Sequence, residues 1–177
     1  MKLELGKIYN FIGYKWIPFE NYGEEVCIQS LGITIGPWPG YTLKDCGNGN
    51  FCRANLPESV DFYDDKTLMV AKMLASINGI PEGFSLWLPF TGCERNHQWM
   101  EALQRACSYS HRKVWTGSYG NVYKTFCGKQ KYTAWYVDKN GNFSKCSQDK
   151  KLTIAPCARL KLSKIIVQDN KIVIAEK

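Results

Sequence analysis

The sequence predicts an α+β domain in which two helices pack on short, twisted antiparallel sheets. Two capped apolar stretches predict the helices: residues 64–78, between an aspartate and a glycine, and the stretch that follows Thr91 and Glu94. The rest of the chain consists of short β-branched and aromatic runs separated by Gly, Pro, Asn and Asp, a pattern typical of strands and turns. A chain of 177 residues suits one domain.

Each predicted helix has its own start signal. Asp64 or Asp65 can accept hydrogen bonds from the first free backbone amides, and Gly79 can end the first helix in a left-handed conformation. The second helix starts with a Thr-x-x-Glu capping box, and an apolar stripe that includes Trp99 continues to about Cys107. Both helices are therefore expected to bury a face in the core.

The predicted β-structure consists of single strands and hairpins. Asn140-Gly141 can supply the positive φ angles of a tight turn. Pro156 cannot donate to a strand ladder, so its run favours a sheet edge or a bulge. The predicted β-segments are a strand or hairpin at 3–19, strands at 26–31, 84–88 and 153–162, and hairpins around 134–143 and 164–177.

The positive charge lies in the second half of the chain. Residues 1–90 hold seven Lys and Arg against ten Asp and Glu, whereas residues 91–177 hold 16 against six. A basic half indicates an acidic partner such as nucleic acid, an acidic glycan or an acidic protein surface. The lysines are scattered and not clustered, however, which makes nucleic acid the weaker expectation.

The N-terminus does not read as a signal peptide, because Glu4 stands where an apolar run should build. No apolar run is long enough to span a membrane, so we expect the chain to be made in the cytoplasm without a membrane partner. The eight cysteines include no C-x-x-C pair, and reduced thiols are the expected state. Cys93 and His97 have helical spacing but would need two further ligands, so we expect no metal and no cofactor.

Four motifs follow one another in the second half of the chain: SLWLPFTGCE at 85–94, VWTGSYGN at 114–121, AWYVDKNGNF at 134–143 and APCARL at 155–160. This series resembles the C-type-lectin-like fold. It is most similar to the bacterial branch with the C-terminal domain of the Lcl collagen-like adhesin and the Fibrobacter major paralogous domains, and more remotely to formylglycine-generating enzymes.

The resemblance implies a C-type-lectin-like domain over residues 22–162. It leaves an N-terminal β-segment at 1–21, a possible docking element, and a C-terminal β-hairpin at 163–177. The calcium-binding loop of animal lectins and the reactive cysteine pair of formylglycine-generating enzymes have no counterpart here, so neither property is carried over. A Cys-His nucleophile could combine Cys93 or Cys107 with His97 or His111. Both cysteines lie on a core-like helix, however, and no third, orienting residue is evident. We therefore expect no enzyme.

In this fold the irregular loops hold the function, and the loops are predicted here at 108–133 and 142–153. Their tyrosines, asparagine and lysines are residue types that binding surfaces use, because they combine rigid aromatic area with adaptable hydrogen bonds. The candidate binding residues are Tyr109, His111, Tyr119, Asn121, Tyr123, Lys124, Lys129 and Tyr132.

The predicted function is a non-enzymatic binding or structural module, foremost a phage virion component of a tail, a fibre or a capsid decoration. A lectin-like chain without an export signal can leave the cell by lysis. Such a component would dock to other virion proteins or to itself, and its loops would contact a host-surface glycan or protein. The first alternative is a bacterial surface adhesin that binds carbohydrate or protein, with oxidised cysteines. The lesser alternative is a nucleic-acid-binding protein.

Overall fold

The computed structural model describes residues 2–40, 64–80, 85–89 and 97–176. The described part contains two helices and two curled sheets, so the architecture is α+β, as predicted. The elements are β1 (Tyr9–Phe11), β2 (Tyr14–Asn21), β3 (Glu25–Ser30), β4 (Thr34–Gly36), α1 (Asp65–Asn78), α2 (His97–Ser110), β5 (Val114–Lys124), β6 (Gln130–Val137), β7 (Phe143–Ser147), β8 (Leu152–Ile154), β9 (Cys157–Lys161), a 3-10 helix (Leu162–Lys164), β10 (Ile165–Gln168) and β11 (Lys171–Ile174).

The first and last strands of the described residues, β1 and β11, pair with each other in one sheet. The first sheet has the strand order β10-β11-β1-β2-β3-β9, and the second has the order β4-β8-β5-β6-β7. Paired strands are antiparallel except β1 with β11 and β5 with β8, which are parallel. The terminal segments at 1–21 and 163–177 thus extend the sheet to which β3 and β9 belong. Their use as docking elements stays a prediction.

Helix α1 begins and ends where the sequence predicts. The carboxylate of Asp64 accepts hydrogen bonds from the backbone N–H of Thr67 at 3.0 Å and from its hydroxyl at 2.7 Å. Gly79 ends the helix at a φ angle of +66°, which glycine adopts without strain. The buried face of α1, including Val70 and Leu74, joins the largest core cluster.

Helix α2 extends three residues beyond the predicted end. Leu103, Ala106 and Cys107 are fully buried, as the apolar stripe predicts. The capping box at Thr91 and Glu94 and the side chain of Trp99 lie outside the described residues.

The two predicted hairpins of the second half are present, at β6–β7 and β10–β11. The β6–β7 turn differs in detail, because Gly141 has a positive φ angle and Asn140 does not. The carboxylate of Asp138 instead organises the turn, accepting from the backbone N–H groups of Asn140 at 2.8 Å and Asn142 at 3.0 Å. An Asx-type interaction therefore replaces the tight Asn-Gly turn.

The predicted strands at 84–88 and 153–162 are only partly correct. Within 85–89 the structure shows a single bridge, between Trp87 and Cys157. The run 153–162 is divided at Pro156 into the end of β8 and the whole of β9, which belong to different sheets. Strand β9 lies at an edge of the first sheet, whereas β8 lies between β4 and β5 in the second. Pro156 belongs to neither strand, so it breaks the run instead of placing it at an edge or in a bulge.

Two pairs of strands pass together from one sheet to the other. Strand β3 pairs with β9 in the first sheet, and β4 pairs with β8 in the second. The connecting segments, residues 29–33 and 154–157, lie side by side, and we call them the joint. Across the joint the N–H of Ser30 donates to the carbonyl of Pro156 at 3.0 Å, and the N–H of Ile33 donates to the carbonyl of Ile154 at 2.9 Å.

A buried glutamine holds the joint together. The Gln29 amide nitrogen donates to the carbonyls of Ala155 at 2.6 Å and Ser30 at 2.9 Å. Its amide oxygen accepts from the Cys157 thiol at 2.9 Å. Gln29 is fully buried, so these bonds satisfy polar groups that water cannot reach.

Two tryptophans fix β4 and the residues after it against β5. The indole N–H of Trp38 donates to the carbonyl of Thr116 at 2.8 Å, and that of Trp115 donates to the carbonyl of Gly36 at 2.9 Å. Both indoles are fully buried. Each tryptophan thus bonds the backbone of the other's segment, which aligns the two segments without a regular ladder between them.

The open edge of β9 is covered by a side chain of α1. Asn78 donates to the carbonyl of Arg159 at 2.7 Å and accepts from the N–H of Lys161 at 3.2 Å. The side-chain amide therefore makes one donor and one acceptor hydrogen bond with the backbone of β9, like those of a paired strand. This cover reduces the tendency of an edge to pair with other chains.

We predict that Gln29→Leu lowers the free energy of unfolding by about 3 kcal/mol, because it leaves two backbone carbonyls and the Cys157 thiol buried without partners. Urea denaturation measures the effect. The control Gln168→Leu replaces an exposed glutamine of β10 and should change stability by less than about 0.5 kcal/mol. A Gln29→Leu loss as small as that of the control would contradict the role of Gln29.

Candidate binding surface on the β5–β6 arm

The β5–β6 hairpin ends in an exposed extension, residues 121–131, which we call the arm. On the β5 side every residue from 121 to 124 is exposed, in contrast to the buried residues 114–118 of the same strand. The predicted irregular loops at 108–133 and 142–153 are therefore wrong in kind. Most of these residues belong to β5, β6, β7 and β8. The surface is a β-structure, which holds its side chains more firmly than an irregular loop would.

Irregular pairing changes the course of β5 below the arm. Its register with β6 shifts between Trp115 and Tyr119 and again before Val122. Hydroxyl groups satisfy the backbone there: Thr116 donates to the carbonyl of Trp135 at 2.8 Å, and Thr133 accepts from the N–H of Asn121 at 2.7 Å. Such bulges bend a strand and increase its twist just before the arm begins.

The tip of the arm is a closed turn. The N–H of Thr125 donates to the carbonyl of Lys129, and the N–H of Gly128 donates to the carbonyl of Thr125, both at 2.8 Å. The Thr125 hydroxyl also accepts from the N–H of Lys129 at 3.2 Å. Three hydrogen bonds thus fix the backbone of the tip, and Phe126 lies within this turn.

The arm exposes apolar and cationic side chains together. Phe126 is fully exposed, at 107% of its reference area, and Val122 and Tyr123 are exposed by 45% and 41%. Lys124 and Lys129 are exposed beside them, whereas Lys131 pairs with Asp149 at 2.6 Å. An exposed phenylalanine gains nothing from folding, and together with Val122 and Tyr123 it makes the arm a candidate contact surface.

Sequence reasoning found part of this surface. Asn121, Tyr123, Lys124 and Lys129 of the predicted binding residues lie together on the arm. It missed Phe126. The available signal was an aromatic residue placed between Thr125 and Cys127-Gly128, within a turn and not within a strand.

Tyr132 is a correction, because it lies in the core and not on a binding surface. Only 2% of it is exposed, and its ring lies 6.0 Å from that of Trp38 and 5.6 Å from that of Tyr119. Burial also raises the pKa of Tyr132. Tyr119 is half-buried and packs on the same cluster. These three aromatic rings support the base of the arm.

Tyr109 and His111 lie away from the arm, at the end of α2. Tyr109 is half exposed, and the ammonium of Lys15 lies 3.3 Å from its hydroxyl and 5.8 Å from its ring centre. His111 is exposed at a φ angle of +55°. The structure therefore does not bring these two residues together with the other predicted binding residues.

The Cys107 thiol is not arranged as a nucleophile with His111. Its sulfur lies 2.6 Å from the carbonyl oxygens of both Arg112 and Asp138. Burial raises its pKa to about 11, and the nearby Asp138 carboxylate adds to the shift. The thiol is therefore protonated at neutral pH and serves as a buried hydrogen-bond donor.

A second polar cluster surrounds Cys27 on the first sheet. The guanidinium of Arg159 lies 4.9 Å from the centre of the Tyr22 ring and 3.8 Å from the carboxylate of Glu25. Burial raises the pKa of Cys27 to about 11, although Arg159 opposes the shift. Burial and the hydrogen bond with Glu20 raise the pKa of Tyr22 to about 12. Both groups are neutral at physiological pH, so the exposed charges of the cluster are those of Arg159 and its carboxylate neighbours.

Across the described residues, no three His, Cys, Asp or Glu side chains group closely enough to hold a metal ion. Cys93 and the side chain of His97 lie outside this part of the chain. None of the helices in the described ranges is long and apolar enough to cross a bilayer. The five cysteines that the structure describes are free: Cys27, Cys107, Cys127, Cys146 and Cys157.

In comparisons with known proteins, no family model matches the chain and no curated protein matches its sequence.

We predict a strong order of reactivity among these thiols. At about pH 8, iodoacetamide should label the exposed Cys127 first, while the thiolate fraction of Cys27 or Cys107 is about 100-fold below that of an ordinary thiol. Peptide mapping by mass spectrometry resolves each site. In the control variant Cys127→Ser this first labelled site should disappear. In urea, where the chain is unfolded, the labelling rates of the five thiols should become equal. Labelling of Cys27 as fast as that of Cys127 would contradict the burial of this thiol.

Proposed function

We propose that the protein is a non-enzymatic binding module of C-type-lectin-like fold that docks to other proteins through its β5–β6 arm. The single observation that carries the proposal is the fully exposed Phe126 at the tip of an ordered turn. An aromatic side chain held in this way can enter a pocket of a partner at little entropic cost. Val122 and Tyr123 widen the apolar contact, and Lys124 and Lys129 provide a polar rim.

The arrangement of helices and sheets supports the proposed C-type-lectin-like fold, in addition to the four sequence motifs. Two helices accompany two sheets, and the motif strands 114–121 and 134–143 pair within the second sheet. The proposed cellular setting is a phage particle, with the chain as a component of a tail, a fibre or a capsid decoration. In that setting the partner of the arm is another virion protein, a second copy of this chain, or a protein or glycan of the host surface. A bacterial surface adhesin would use the same arm.

Single-stranded nucleic acid is a second candidate ligand, because Lys124 and Lys129 alternate with the aromatic rings of Tyr123 and Phe126. Stacking on aromatic rings beside a basic groove is how sequence-tolerant proteins bind single strands. Against it, Lys131 pairs with Asp149, so two unpaired lysines remain on the arm within the described residues. Binding that falls steeply with salt and depends on both lysines would favour nucleic acid.

The experiment that tests the proposal is site-directed photo-crosslinking in the native source. A photoreactive phenylalanine analogue is placed at position 126, particles are purified, and crosslinked products are identified by mass spectrometry. Position 143 is the matched control, because Phe143 lies on the same sheet but is only 37% exposed. Crosslinks from 126 and not from 143 to another particle protein are expected. Absence of the chain from purified particles would contradict the virion setting, and crosslinks from 143 alone would contradict the use of the arm.

We predict that Phe126→Ser weakens partner binding by about 2 kcal/mol or more, as the loss of a central aromatic anchor does. The same substitution should leave the free energy of unfolding within about 0.5 kcal/mol of its original value, because the side chain makes no buried contact. Binding is measured by titration with the crosslinked partner, and stability by urea denaturation. Equal losses in both measurements would mean that Phe126 serves the fold and not the interface.

A further inference from the structure

A cleft of about 740 Å³ lies between the end of α1 and the end of the first sheet. Three lysines line it: Lys72 from α1, Lys161 from β9 and Lys164 from the 3-10 helix. Apolar side chains line it as well, among them Met73 and Ile174, which are exposed by 37% and 47%. The cleft belongs to the first sheet, whereas the arm belongs to the second.

Two carboxylates lie near the cleft but do not line it: Glu25, the register partner of Lys161, and Glu176, next to Ala175. The lining residues that the structure describes include no Asp or Glu, and none of the recorded ion pairs of the described residues involves these three lysines. The free carbonyl groups at the C-terminus of α1 carry a partial negative charge, and no basic residue in the last turn of the helix offsets it. That charge is only about half of an elementary charge. Among the described residues, the positive charge of the three lysines therefore has no recorded ion-pair partner within the cleft.

The apolar part of the cleft distinguishes between kinds of anionic ligand. Nucleic acid would use the lysines but would leave Met73 and Ile174 without a contact. A membrane surface is flat on the scale of a protein, whereas these side chains lie within a cleft. Methionine adapts its shape to different apolar partners, and Met69, one turn away on α1, is exposed by 54% and continues the stripe. A ligand with an apolar group between carboxylates can contact both the lysines and the apolar side chains of the cleft.

We propose that this cleft binds an acidic peptide segment of a partner protein, with an apolar side chain of the segment between carboxylates. The apolar side chain packs on Met73 and Ile174, and the carboxylates pair with Lys72, Lys161 and Lys164. The site is independent of the arm and does not require the proposed function. The complementarity of charge selects the acidic segment, and the apolar contact provides the affinity.

The test is a selection of short random peptides, displayed on yeast, against the purified full chain. We expect the selected peptides to combine Asp or Glu with Leu, Ile, Phe or Met. The variant Lys72→Glu/Lys161→Glu/Lys164→Glu should lower their affinity by on the order of tenfold or more, measured by fluorescence polarisation. The control Lys139→Glu/Lys150→Glu/Lys151→Glu makes the same change in net charge at exposed lysines outside both proposed surfaces and should bind the peptides as the original chain does.

A second pair of variants tests the apolar half and leaves the charge unchanged. Met73→Gln should weaken peptide binding several-fold, whereas Met69→Gln, outside the cleft lining, should have a smaller effect. Circular dichroism melts establish that each variant folds. The proposal is overturned if no peptide is selected, if the selected peptides have no acidic bias, or if the control triple variant loses as much affinity. It is also overturned if phosphatidylserine vesicles or single-stranded DNA bind more tightly than the peptides with the same dependence on the three lysines.

Discussion

The structure depends on the joint at which two paired strands leave one sheet and enter the other. Four strands meet there, so a change of register in either segment would move both sheets at once. The segments cannot form a regular ladder throughout, because Pro156 lacks an N–H and the strands change direction. Gln29 replaces the missing ladder bonds with its side chain. Gln29 is fully buried, but an apolar residue at this position could not form these hydrogen bonds.

The arm is a consequence of the same core. Trp38 reaches β5 because the joint delivers β4 and the residues after it to the second sheet, and its ring lies against Tyr119 and Tyr132. These rings fill the space under the hairpin up to the level of the arm. Beyond Ser118 no side chain of β5 is buried, so the hairpin continues without support from the core. The exposed side chains of the arm do not stabilise the core, so they are available for binding.

How much could be predicted from the sequence varied with the range of the interactions involved. Helix α1 was predicted to within one residue because Asp64 and Gly79 act on their own neighbours. The turn between β1 and β2 gave no signal, because Ile12 adopts a φ angle of +45° that β-branched residues avoid. The division of 153–162 between two sheets could not be read either. It depends on the pairing of β9 with β3, more than a hundred residues away.

The candidate surface shows the same limit. Tyr123 and Tyr132 are the same residue type nine positions apart on one hairpin, and composition alone marked both as binding residues. One is 41% exposed and the other 2%, because the core ends between them. Phe126 was passed over since an aromatic residue is more often found in a core than at a tip. Whether an aromatic ring of this hairpin is buried or exposed depends on where the core ends along the hairpin, which the sequence does not show.

The two proposed surfaces are connected through one core. The largest cluster of buried residues includes Val70 and Leu74 of α1, Val26 and Leu160 of the first sheet, and Trp115 of the second. The cleft and the arm are therefore parts of one packed body, and they cannot change their relative position without disrupting that core. If both surfaces contact the same assembly, the second contact forms at a high effective concentration once the first is made. Two individually weak contacts would then give firm attachment, and salt would weaken chiefly the contact at the cleft with its three lysines.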